Sequence, residues 1–77
     1  MNVGMLWLDD DKQRPLAEKV QRAVEYYQHK YGHGANLCLV NSAALAGETA
    51  VAGVKVKGSQ YVLPYHFWLG REEGNAH

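Results

Sequence analysis

Three adjacent carboxylates, Asp9-Asp10-Asp11, follow directly on the apolar run Val3–Leu8. Acids just past a strand sit where open α/β sheets place ligands. Hard cations such as Mg²⁺ take carboxylate oxygens, so a metal-dependent phosphoester or nucleic-acid hydrolase is one chemistry this cluster could serve. Neighbouring side chains on extended backbone point to opposite sides, so at most two of the three could share an ion. Asp9 and Asp10, with His66, are the candidates. No further acid completes the shell, because Glu18 and Glu25 fall on a predicted helix and Glu48 in a loop. Solvated acids near a helix start, with Asp11 as a cap, are the plainer reading.

His29 and His33 are four residues apart, the spacing that aligns two imidazoles on one helix face for zinc. Gly32 ends the predicted helix between them, and Cys38 lies in a fully apolar stretch, where a lone cysteine packs as a small hydrophobe. Asp9, Asp10, His29, His33 and His66 are therefore metal candidates only by residue type, and no cofactor is expected. Lys55, Lys57 and Arg71 form a basic stripe that, with Trp68, could bind single-stranded nucleic acid by stacking and phosphate contact. Against this, eight basic residues balance eight acidic ones, and lysines on a strand face are a common solubility device. No Gly-x-Ser-x-Gly elbow and no phosphate-cradling glycine loop occurs.

The segment from Tyr61 to Gly70 has no formal charge and holds half of the chain's aromatic residues. Tyr65, Phe67, Trp68 and Leu69 mark a subunit interface, because one helix cannot cover both faces of an aromatic strand and large exposed apolar patches signify contact. The interface reading expects Phe67 and Trp68 to be exposed in the isolated chain.

The elements that must position these groups are few. Leu16, Val20, Ala23, Val24, Tyr27 and Tyr31 recur at spacings of three and four, which predicts an amphipathic helix over 15–31. Pro15 suits its start and Gly32 its end. Strands are expected near 3–8, 36–40, 53–57 and 60–69. The first strand, the helix and the second strand read as a β-α-β crossover unit. Val54–Lys57, Gly58-Ser59 and Gln60–Leu63 read as a β-hairpin with a type II′ turn, Gly58 supplying the positive φ. That register sorts Val54, Val56, Tyr61 and Leu63 onto a core face, with Leu37 and Leu39 beside them. Residues 42–50 are left open between one helical turn and a loop, and Pro64 bends the last strand.

A chain of 77 residues makes one domain, expected over 1–70 with a loose tail over 71–77. The expected fold is α/β in the two-layer α+β sense, a mixed sheet of about four strands on one long helix. Short domains often need a partner for stability, and a single cysteine excludes an internal disulfide. Neither a membrane-crossing run nor a basic leader is seen, so a cytoplasmic location is expected. The functional expectation is a non-catalytic protein–protein interaction module, acting as a homodimer or as a subunit of a larger assembly.

Overall fold

A computed structural model describes residues 4–72. In chain order it contains β1 (Met5–Leu8), α1 (Leu16–Tyr31), β2 (Leu37–Asn41), β3 (Glu48–Val51), β4 (Val54–Ser59) and β5 (His66–Gly70). The strands form one mixed sheet in the order β1-β5-β2-β4-β3, and α1 packs on one face of it. This is the small α+β fold expected, with one strand more. The shortest principal extent is 20 Å, enough for one helix layer and one sheet layer.

The helix forms where its apolar stripe places it. Val20, Ala23 and Tyr27 are buried, and Leu16, Val24 and Tyr31 pack against the same core. Pro15 holds the cap position in extended conformation, with no side-chain cap. Gly32 ends the helix at φ 79°, its N–H donating to the Gln28 carbonyl at 2.8 Å. Only glycine adopts this left-handed stop without a Cβ penalty.

Strand alternation supplies the other half of the core. Met5 on β1, Cys38 and Val40 on β2, Val54 and Val56 on β4, and Phe67 and Leu69 on β5 are all buried, and their registers place them on one face. Trp7 joins this layer and stacks on Tyr26 with ring centroids 4.7 Å apart. Leu37 and Leu39 lie on the opposite face, so β2 contributes Cys38 and Val40 to the core in their place.

β1 and β2 run parallel, as the expected crossover requires, and β5 lies between them, antiparallel to both. One expectation of topology is corrected: the hairpin is β3–β4, not 54–63. Its two-residue turn is Ala52-Gly53, with φ of 52° and 78°, the double positive φ of a type I′ turn. β4 continues through Gly58 and Ser59 because it pairs in parallel with β2, from Leu37↔Lys55 to Asn41↔Ser59. Gly58 answers a steric demand rather than a dihedral one. A Cβ there would fall 1.9 Å from the Leu45 carbonyl oxygen, and its N–H donates to the Gly47 carbonyl at 2.8 Å.

Residues 60–65 consequently form a connection instead of a strand. The Tyr61 N–H donates to Ser59 Oγ at 3.1 Å and the His66 N–H to the Leu63 carbonyl at 3.1 Å. Tyr61 and Leu63 turn outward and Val62 is buried, the reverse of the face sorting expected from the hairpin. Arg71 and Glu72, expected in a loose tail, are tied down. Arg71 Nη1 donates to the Gly34 carbonyl at 2.6 Å, and Asn36 exchanges two hydrogen bonds with the Glu72 backbone. The remainder of that tail, 73–77, lies outside the described residues, as does Val3 of the first expected strand.

Candidate functional site

The acidic cluster is organised by an arginine. Asp9 is buried, and both its oxygens accept from Arg14 Nη1, at 3.2 and 3.1 Å. Its Oδ1 also accepts the Asp11 N–H at 3.1 Å. Arg14 reaches Asp11 at 3.4 Å and Glu18 at 3.2 Å as well. Burial alone would push the Asp9 carboxyl up, but the Asp11 N–H and Arg14 outweigh it and hold the group below the usual aspartate value. Asp10 is exposed, and Asp11 caps no helix; it accepts the Gln13 N–H at 2.9 Å.

The remaining metal candidates are dispersed. His29 is exposed in the last turn of α1. His33 lies beyond Gly32, edge-on to Tyr27 at 5.8 Å. His66 Nδ1 meets the Pro64 carbonyl at 2.9 Å, which is the partner that fixes the ring's tautomer. Cys38 is fully buried, and burial pushes its thiol up to about 12. Among the described residues no three His, Cys, Asp or Glu side chains are grouped to hold a metal ion.

The basic stripe is matched by acids on its own face. Lys55 pairs with Glu72 at 3.6 Å, and Lys57 stands opposite Glu48 in the β3–β4 register. Arg71 is spent on the Gly34 carbonyl.

The interface candidates separate by strand alternation. Phe67 and Leu69 face α1 and are buried, so the expected exposure of Phe67 is corrected. Trp68 points to the open face, opposite Leu6 on β1 and Leu39 on β2. Its indole lies over Gly4 and Gly70, where a Cβ would come within 2.1 and 2.4 Å of the ring. Around it the open face is apolar and uncovered: Leu6 is 64% exposed, Leu63 66% and Tyr61 87%. These residues line a shallow groove with Leu39, Val62 and His66.

A second concavity, of about 320 Å³, opens between the start of α1 and the end of β2. Leu16 and Lys19 form its helix side, and Val40, Asn41, Tyr65 and Phe67 the sheet side. Asn41 builds the rim, its Nδ2 donating to the Val62 carbonyl at 2.8 Å and its Oδ1 accepting the Ala43 N–H at 2.9 Å. Tyr65 holds φ 65°, a left-handed conformation uncommon for an aromatic residue. Lys19 stands 5.5 Å above its ring.

Lys19 and Asn41 are not among the candidates legible in the sequence. A signal for Lys19 existed: it falls three residues after Leu16 and four before Ala23, a cation on the apolar stripe. Asn41 carries no such signal, because its partner Val62 is distant in the chain. No family model matches this chain, and neither a curated protein nor a solved structure matches it.

Proposed function

We propose that the protein is a small, non-catalytic interaction module that works as a homodimer, two copies packing through their open sheet faces. The observation that carries this reading is the uncovered apolar face around Trp68. A sheet with one helical layer has one unprotected side, and sheet-on-sheet packing is the regular way such a side is covered. Leu6, Tyr61 and Leu63 surround a half-buried tryptophan, the composition of an interface centre. Charges of both signs share this face, Lys55 bridged to Glu72 and Lys57 standing opposite Glu48 in the strand register. A second copy therefore meets no field of like charge, as an isologous contact requires.

The acids among these lysines weigh against single-stranded nucleic acid as the partner, since they repel a phosphate backbone. It weighs against the hydrolase reading that Asp9, its first candidate ligand, is committed to Arg14. The setting we propose is the cytoplasm, where a single buried thiol stays reduced.

Sedimentation equilibrium tests the reading. The wild-type chain is expected to pass from monomer to dimer as its concentration rises to tens of micromolar. Leu63→Glu and Leu6→Glu place charges on exposed positions, so they should weaken the dimer at least tenfold, about 1.4 kcal/mol, and leave the monomer's own melting nearly unchanged. A wild-type chain that stays monomeric throughout defeats the proposal, as does a dimer indifferent to both substitutions.

A further inference from the structure

The two edges of the sheet are defended unequally. β3, at one edge, carries Glu48 and Thr49 within the strand, and a charge on an edge strand discourages further pairing. β1, at the other edge, reads Met-Leu-Trp-Leu, with no charge, no proline and an unbroken register. The pairing with β5 also shows which of its main-chain groups turn outward. The Asp9 N–H donates to the Tyr65 carbonyl at 2.9 Å, which makes Asp9 and Tyr65 a hydrogen-bonded pair, and such pairs alternate along an antiparallel ladder. Trp7 with Phe67 and Met5 with Leu69 are therefore bonded pairs too. The N–H and C=O groups of Leu6 and Leu8 consequently turn away from β5. Among the described residues no other backbone or side-chain group bonds to them. Their side chains stand on the open face, 64% and 59% exposed.

We propose that β1 pairs edge to edge with β1 of a second copy, antiparallel about a two-fold axis at Trp7. In that register Leu6 of one copy stands opposite Leu8 of the other, and each outward N–H and C=O of the two leucines finds its complement. The pairing is self-complementary, because the same residues supply every donor and every acceptor, as a two-fold contact demands. It also carries the Asp9–Asp11 runs to opposite ends of the joined strands, so the acids of the two copies do not meet. A parallel arrangement would set them side by side. Opposed residues share a face, so the leucines of both copies form one apolar surface continuous with the face around Trp68. Edge pairing rests on the main chain of β1 and uses neither Tyr61 nor Leu63, so it is separate from the face-to-face contact. With both contacts made, two edge-paired sheets stack on their open faces and the assembly is a tetramer.

Amide hydrogen exchange on isotope-labelled protein tests this, because an edge N–H is protected only when it gains an acceptor. The Leu6 and Leu8 amides are expected to exchange at least tenfold more slowly at about 1 mM protein than at about 50 μM. Leu63→Glu, which breaks the face contact, should leave that protection in place, so failure of one contact is told apart from failure of the other. Leu8→Pro removes a donor that β5 does not use, and proline is tolerated on an edge strand with that side free. The variant should keep the monomer's fold and lose at least tenfold of the Leu6 protection at about 1 mM. Leu8→Val keeps the donor and should keep the protection. Should Leu8→Pro not fold, the dilution series on the wild-type and Leu63→Glu chains decides alone. Leu6 and Leu8 amides that exchange at one rate across the dilution overturn the proposal. Protection that vanishes in Leu63→Glu belongs to the stacked faces and overturns it too, as does a folded Leu8→Pro chain with Leu6 still fully protected.

Discussion

Arg14 binds three carboxylates at once, and the buried member, Asp9, also caps the backbone at Asp11. The titration of Asp9 is therefore tied to folding. Its carboxyl is held low in the folded chain, so its contribution to stability is complete above the unfolded value of about 3.9 and is lost as pH falls through the lower folded value. Asp9→Asn should lower the urea midpoint at neutral pH, and the gap to wild type should close in acid. A gap that persists below the folded value would show that shape rather than charge matters there. Cys38 works in the opposite direction. Its thiol is pushed up to about 12, so the unfolded chain loses its proton first, and stability falls as pH rises above about 8.5.

Among the elements, β4 is the instructive one. Gly58 is set against the Leu45 carbonyl, so Gly58→Ala should destabilise by about 1–3 kcal/mol through overpacking, read as a lower midpoint in urea. Had Gly58 supplied a turn, Gln60–Leu63 would run back along Val54–Lys57 as a hairpin. The Gly-Ser dipeptide satisfies both demands, and only pairing with β2, distant in the chain, decides between them. The true turn was hidden because Ala52 lacks the usual turn chemistry, although its φ is positive. Ala52→Asn should consequently stabilise the hairpin by about 0.5–1 kcal/mol, since asparagine tolerates the left-handed region better. The helix was legible throughout because its signal is local, a stripe closed by Gly32. Strand faces were less so. Leu6 and Leu8 stand in an apolar run and Leu39 is expected on the core face, yet apolar side chains in sequence do not record which face of a strand is left open.

At the scale of the whole molecule, the sheet is asymmetric in what it shows to solvent. One face is covered by α1, and the other shows leucines and aromatics at the β1–β5–β2 end and charges of both signs at the β4–β3 end. Thermal melting should reflect this, with the midpoint rising as protein concentration rises if dimerisation is linked to folding. Midpoints that do not move over a hundredfold dilution would place the monomer's stability in its own core. The position of β5 adds a consequence of a different kind. It is the last of the described strands in sequence order, yet it is the seam that joins β1 to β2. During synthesis on the ribosome, β2, β3 and β4 can associate early, while β1 must wait until residue 70 is available. Assembly is therefore settled after translation has passed the fold, not during it, and a nascent or prematurely ended chain carries exposed apolar strands that invite aggregation. A fragment ending at residue 63 should accordingly show no cooperative unfolding and should be captured by chaperones that bind unfolded chains.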